Sequence, residues 1–455
     1  MKNVDHRKLG RELDLFDSDP LIGAGLPFWL PAGAAARHEV ESYLRELERR
    51  AGYQHVYSPV LGKRQMYELS GHWANFADDM FPPMALGGQR DDNDADDSDG
   101  DGDGDGEGDG DALVLRPSLC PHHALIFKSR QRSYRDLPLR IAELGAMYRA
   151  ERSGVLGGLT RVRSIWLNDS HIFCALPQIG PEIADVLRLM RQAHDALGVR
   201  VSSYQLSLRG AGGKYAGDDD AWRQAERLLR QALDAAGVRY GVAAGEAAFY
   251  GPKIDVQIVD PAGRESTLST IQVDFLQPAR FDLSYVDERG ERVRPVMVHR
   301  SLIGSMERLF AHLIEVHAGA FPAWYAPVQL RVLPVAADQR PAADALSGDA
   351  IAAGLRVDMD ADGTIGARVR AAVARRVPYV AVIGAREAPY GRVALRLRDG
   401  RQLPAMPGAE AVALIASAVA CRSADLLPPD AAARHGVESP AILHLSRDIH
   451  DKSSR

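Results

Sequence analysis

"YRAERSGVLGGLTRVRSIWLNDSHIF", residues 148–173, is the stretch from which the fold is read. It places four arginines, Arg149, Arg152, Arg161 and Arg163, on one short hairpin, with His171 just beyond. The segment is too polar for a core and too apolar for a disordered tail. A guanidinium is a planar fork that grips carboxylate or phosphate oxygens at two points and stays charged. Several of them on one hairpin imply an anionic ligand.

Outward from this hairpin the chain reads as mixed α and β. Residues 36–51 carry Val40, Tyr43, Leu44 and Leu47 at helical spacing, with Gly52 as a stop, and "YQHVYSPVLG" (53–62) reads as a strand after that helix. A second helix is expected over 219–236, with Trp222, Ala225, Leu229, Ala232 and Leu233 on one side. The runs "KIDVQIVD", "STIQVDFL" and "RPVMVHR" suggest an antiparallel sheet, followed by an amphipathic helix over 304–319. Prolines and aromatics in "FPAWYAPV" (321–328) mark a boundary, beyond which strands and helices alternate as in a small α/β domain. The expected organisation is 1–325 as one domain, 326–425 as a second, and 426–455 as a tail.

At 455 residues, 46% hydrophobic and 25% charged, the chain has material for two cores. The opening "MKNVDHRKLGRELD" is too hydrophilic for a signal peptide, and no apolar run approaches the ~20 residues of a membrane span. Cys120, Cys174 and Cys421 are odd in number and far apart, which fits a reducing, cytoplasmic setting. The run 91–111 holds twelve acidic residues and no basic ones; removing these twelve from the formal −6 leaves +6 for the rest. A mildly basic body suits a polyanionic partner. The run begins like a calcium loop at Asp101, Asp103 and Asp105, yet Ala112 stands where a bidentate Glu is required. Residues 87–112 are therefore read as a solvated insertion.

Many segments in order resemble threonyl-tRNA synthetases, a family of class II aminoacyl-tRNA synthetases: "DHRKLGRELDLF" (5–16), "SGHWANF" (70–76), "SYRDLPLRIAELG" (133–145), "DSHIFC", "AFYGPKID" (248–255), "RPVMVHRSLIGSMERL" (294–309) and "FPAWYAPVQLRVLPV" (321–335). The resemblance implies an α+β catalytic domain, an antiparallel sheet flanked by helices, followed by a small α/β anticodon-binding domain. It implies a homodimer formed through the region 36–60. It also implies activation of threonine with ATP and Mg²⁺, then transfer to tRNA. Arg149 would bridge the amino-acid carboxylate and the α-phosphate, Glu151 would accept from adenine, and Arg308 would press on ATP from the opposite side. Arg161 and Gln272 would join the nucleotide site. Asp169, Tyr250, Lys253 and Ser305 would hold the amino acid. Cys120, His171 and His299 would bind Zn²⁺, whose open position takes the amino and hydroxyl groups of threonine and so rejects valine. His122 and His123 adjoin the cysteine but are not read as ligands. Glu387 and Arg396 match anticodon-reading positions.

The chain departs from the family's pattern at particular places. Ser164 and Ile165 stand for a Gly-Phe pair whose ring stacks on adenine. Leu167 and Thr267 stand for glutamines, Asn168 for an aspartate, Gly157 for a histidine, and Asp362 for a base-reading asparagine. The family's N-terminal editing region is expected to be absent, so serine would be mischarged and then corrected in trans or tolerated. Two further readings stay open: a specialised paralogue serving another acceptor or tolerating an inhibitor, and a non-catalytic tRNA-binding regulator.

Overall fold

In the computed structural model, the structure describes residues 4–85, 112–212, 215 and 219–427. The acidic run and nearly all of the expected tail lie outside the described residues. The chain divides into two compact units, Met1–Ala318 and Gly319–Arg455. The segment 321–328 thus counts with the second unit, where Gln329 donates to the Ala323 carbonyl at 2.9 Å and Arg398 to that of Phe321 at 2.8 Å.

The first unit is built on an eight-stranded sheet. Its order is Tyr240–Ala244, Val201–Leu208, Lys253–Val259, Glu265–Asp274, Val296–Ser301, Ser164–Cys174, Leu139–Tyr148, Gln54–His55. The outermost pairings are parallel and the central ones antiparallel. The arginine hairpin is the pair Leu139–Tyr148 and Ser164–Cys174, in register from Leu139↔Phe173 to Tyr148↔Ser164. Residues 149–163 form its loop.

Helices cover the sheet. Ile179–Leu197 presents Ile183, Val186, Leu187 and Met190 and packs on strands 265–274 and 296–301; Asp219–Ala235 buries the five residues expected of it. The expected helix over 36–51 begins earlier, at Pro31, because proline suits a first turn where no N–H partner is needed. The segment 53–62 gives only the short strand Gln54–His55 and the start of Leu61–Lys63. Pro59 interrupts between them, and a proline donates no ladder hydrogen bond. Met306–Val316 is the amphipathic helix expected over 304–319, capped by Ser305, whose hydroxyl accepts from the Arg308 N–H at 3.1 Å.

The second unit is a five-stranded mixed sheet ordered Val357–Met359, Leu330–Pro334, Tyr379–Ile383, Arg392–Leu397, Gln402–Pro407. Helices Arg340–Ala352, Ile365–Ala374 and Gly408–Ala420 accompany it. Its core gathers Leu330, Val332, Leu346, Tyr379, Leu395 and Ile415. Among the described residues no helix is long and apolar enough to cross a membrane.

Candidate active site

Strand side chains alternate between faces, and paired residues on neighbouring strands stand side by side. Lys253 pairs with Gln272, Gln272 with His299, and His299 with His171. One row across four strands therefore carries four of the expected site residues. Two residues along the hairpin strand comes Asp169, opposite Glu143; then Leu167 opposite Gly145, and Ile165 opposite Met147. Of these, Gln272, His299, His171, Asp169, Leu167, Ile165 and Met147 line one cleft of about 250 Å³, with Arg149, Glu151, Arg161, Tyr250, Thr267, Ser305 and Arg308 around it.

At one end, helix Cys120–Lys128 sets its first residue over the row. Cys120, His171 and His299 are buried, and one donor atom from each lies within 4.8 Å of the others. Each histidine is held through the nitrogen it would not offer. His299 Nε2 is 2.9 Å from Asp274 Oδ2, leaving Nδ1; His171 Nδ1 is 2.7 Å from His123 Nδ1, leaving Nε2. His123 in turn meets Glu143 at 3.1 Å, and Glu143 takes Ser58 and Arg116 at 2.6 and 3.1 Å. Burial raises the Glu143 pKa, but the bonds from His123 and Ser58 and the Arg116 charge overcome it and bring it down to about 2. Such outer partners fix ring orientation in metal sites. Burial pushes the Cys120 thiol up and His171 well down, so the thiol resists ionisation until a cation compensates, while the imidazole stays neutral and keeps a lone pair to offer. A soft sulfur and two imidazole nitrogens fit Zn²⁺ with one position left open.

Beside these donors lie the expected amino-acid contacts. Asp169 is buried, which raises its pKa, against His123, His299 and Arg300 charges that lower it. The Tyr250 ring stacks on His299 with centroids 4.8 Å apart, and its hydroxyl donates to Gln272 Oε1. Lys253 is turned to Asp255, 2.8 Å away, and is not among the cleft-lining side chains. A further histidine, His72, lies 3.5 Å from the Cys120 sulfur and 2.8 Å from the Ser70 hydroxyl, with burial lowering its pKa to about 3.

The other end gathers cations. Arg161 pairs with Glu151 at 2.8 Å, whereas among the described residues no carboxylate pairs with Arg149 or Arg308. Arg308 donates to the Thr267 carbonyl at 3.2 Å. Desolvation lowers its pKa first, then the neighbouring Arg149 and Arg161 charges. Three guanidinium groups held close, with a carboxylate on only one of them, form a ready site for a polyanion. The wall of this end is Met147, Val162, Ile165, Leu167 and Leu268, with no aromatic ring among these five.

Asn168 lies on the opposite parity of the strand and is buried. Its amide donates to Glu48 at 2.9 Å and accepts from the Leu302 N–H at 3.1 Å, while Arg300 meets Glu48 at 2.7 Å. A carboxylate at 168 would face Glu48 directly; the amide removes that repulsion.

In the second unit Glu387 accepts from the Gly384 N–H at 3.1 Å, and Arg396 is exposed on strand Arg392–Leu397. Glu387 lies in the turn before that strand, while Arg396 is four residues along it, ~13 Å at the usual strand rise. Sequence reasoning passes over His123, Glu143, Arg116 and Asp274. The signal that could find His123 is position: it stands three residues after Cys120, one helical turn on.

A sheet of this topology with an arginine hairpin, followed by a small α/β unit, defines a class II aminoacyl-tRNA synthetase core. Residues 105–317 match the family described as "tRNA synthetase class II core domain (G, H, P, S and T)", and 329–418 match "Anticodon binding domain". The chain is 46% identical over 403 residues to a threonine–tRNA ligase of Bacillus velezensis, covering 87% of this chain and 59% of that protein. It superposes with TM-score 0.82 and 32% identity on the "RNA binding domain of Threonyl-tRNA synthetase" of Cryptosporidium parvum, covering 91% of this chain and 98% of the other. A putative threonyl-tRNA synthetase of Aeropyrum pernix gives TM-score 0.77 at 26% identity, covering 92% and 97%. The chain belongs to the threonyl-tRNA synthetase family. It spans about three fifths of the length of the curated relatives it matches.

Proposed function

We propose that the cleft activates threonine with Mg²⁺-bound ATP and that the chain then passes the threonyl group to the 3′ end of tRNA-Thr. In the first step a threonine carboxylate oxygen bonds to the α-phosphorus and pyrophosphate leaves. In the second a ribose hydroxyl takes the acyl group and AMP leaves. Zn²⁺ bound by Cys120, His171 and His299 would supply an open coordination position for the amino and hydroxyl groups of the substrate. Asp169 accepts the hydroxyl proton as a hydrogen bond, and Tyr250, held by Gln272, faces the amino group. Arg149 bridges carboxylate and α-phosphate. Arg161 and Arg308 balance the phosphate charge, and Glu151 takes the adenine amino group. Positioning and fixed positive charge account for most of the acceleration. Ser305, which lines the cleft and caps the helix that carries Arg308, would join the amino-acid site, whereas Lys253, seated on Asp255, acts through the frame. Glu387 and Arg396 of the second unit would read the anticodon, and a second copy would complete a homodimer.

The observation that carries this reading is the placement of the three donor side chains at one end of a cleft and of Arg149 and Arg308, free of carboxylates among the described residues, at the other. Threonine-dependent exchange of pyrophosphate into ATP, followed by charging of tRNA-Thr, tests it. No exchange with threonine would overturn the reading and leave a tRNA-binding regulator. A second reading is favoured by Ile165, Leu167 and Thr267 in the nucleotide wall: a specialised copy with another acceptor or an altered inhibitor response. Exchange without charging would select it.

A further inference from the structure

The motif "DHRKLG", residues 5–10, has no part in the chemistry above. His6 opens the helix His6–Glu12 behind the Asp5 cap and is 6% exposed. Both of its nitrogens are engaged. Nδ1 lies 2.8 Å from Glu315 Oε1, on the helix that bears Arg308. Nε2 lies 3.2 Å from the backbone nitrogen of Leu159, in the loop of the arginine hairpin. A backbone N–H can only donate, so Nε2 accepts and the ring proton sits on Nδ1, donated to Glu315. The neutral imidazole therefore joins two elements that are otherwise far apart in sequence.

The loop is shaped for this contact. Gly158 has φ +58°, and a Cβ there would stand 2.4 Å from His6 Nε2 and 2.6 Å from Arg7 Cγ. Only glycine meets both the conformation and the approach. Leu159 itself is fully buried. Asp5, His6 and Glu315 also cluster as a cation site would, yet His6 has no lone pair beyond the one given to Leu159. A cavity of about 710 Å³ runs beside the loop, bordered by His6, Gly157, Arg161, Arg308 and Glu315. The loop is bounded there by space, which makes a tether matter.

We propose that His6 is a positioning residue that ties the hairpin loop to the Arg308 helix, so that Arg161 and Arg308 stand on their two walls before ATP arrives. The proposal rests on the nucleotide reading above, but its first readout does not. The test is hydrogen–deuterium exchange of the 156–161 amides in the purified full chain, together with KM for ATP and for threonine. His6→Asn keeps a donor at the δ position and removes the acceptor. It should speed exchange at Leu159 by about tenfold, the worth of one net hydrogen bond, and raise KM for ATP comparably, with KM for threonine changed less than about twofold. His6→Gln returns an oxygen to the ε position but gives up the δ donor, so it should bring exchange at Leu159 back toward the parent rate, with the Glu315 side left to the residue 6 backbone N–H at 3.3 Å and KM for ATP recovered only in part. Gly158→Ala should reproduce His6→Asn with residue 6 itself unchanged, because the added Cβ would crowd Nε2 away from the Leu159 N–H. Exchange at the parent rate in His6→Asn would overturn the tether. So would faster exchange across the whole first unit, or a loosened loop with unchanged KM for ATP. If the parent shows no threonine activation, protection at Leu159 still reads the tether, so the two failures are distinct.

Discussion

The two ends of the cleft are built differently. The end proposed to hold a metal is supported to its third layer: His171 rests on His123, His123 on Glu143, and Glu143 on Arg116 and Ser58, while His299 rests on Asp274. The end proposed for the nucleotide has its charges in place but an aliphatic wall, with Ile165 and Leu167 where the resemblance leads one to expect a ring and an amide. One end is fixed by buried polar networks, which tolerate little change because an orphaned member bears its full desolvation cost. The other is walled by apolar side chains, Ile165 and Leu167 among them only half-buried, where an aliphatic-for-aromatic exchange costs ~1 kcal/mol. The difference shows where a family member can diverge and where it cannot.

The largest effect should come from removing a donor. Cys120→Ala should abolish stoichiometric zinc by elemental analysis and lower kcat/KM for threonine activation about 10³-fold or more, since the substrate hydroxyl loses its recognising partner. Full activity in a zinc-free variant would break the contrast. Next, His123→Leu should weaken zinc binding about 10- to 100-fold, the usual effect of losing an outer partner; competition with a chromophoric chelator measures it. At the nucleotide end, Ile165→Phe should lower KM for ATP about fivefold, the worth of one stacked ring at ~1 kcal/mol. An unchanged or raised value would show that the aliphatic wall is adapted to something other than adenine.

The smallest effect concerns the helix that carries Arg308. Burial raises the Glu307 carboxyl to about 7, against the Arg37 charge and the Trp166 N–H, which lower it. Between the unfolded value, near 4.5, and about 7 the folded chain holds more protons than the unfolded one. Stability from this group is therefore full below the unfolded pKa and is lost as pH rises through the folded one. Glu307→Gln, which keeps an acceptor for Trp166, should remove that loss. Denaturant unfolding should show the variant gaining on the order of 1 kcal/mol over the parent between pH 5 and pH 8. A parallel pH dependence in both proteins would discard the explanation.

Much of the molecule is legible in the order of its residues. The helix over 219–236 and the strands between 246 and 300 follow from periodicity, and their burial agrees because periodicity is what burial selects. The arginine hairpin announces an anion. Other parts are not legible. The 53–62 segment has strand-like composition, but Pro59 breaks the ladder, and only short pieces pair. Asn168 reads only as an exchange for an aspartate; with Glu48 and Arg300 beside it, the amide fits a charge already balanced. His123 reads as a bystander because what it holds lies on strands of the sheet, and the one local sign of it is its spacing of a helical turn from Cys120.

The sequence by itself determined the class of fold, the family and the chemical kinds gathered at the site, since these reside in local spacing and in ordered motifs. Tertiary structure alone decided that residues 171, 272 and 299 share one row of the sheet with 253 and that Cys120 closes over it. It also decided which nitrogen of each histidine is spent on support. Strand register is set by long-range pairing and burial rather than by neighbours in sequence, and so the convergence of these side chains became visible only when the sheet was assembled.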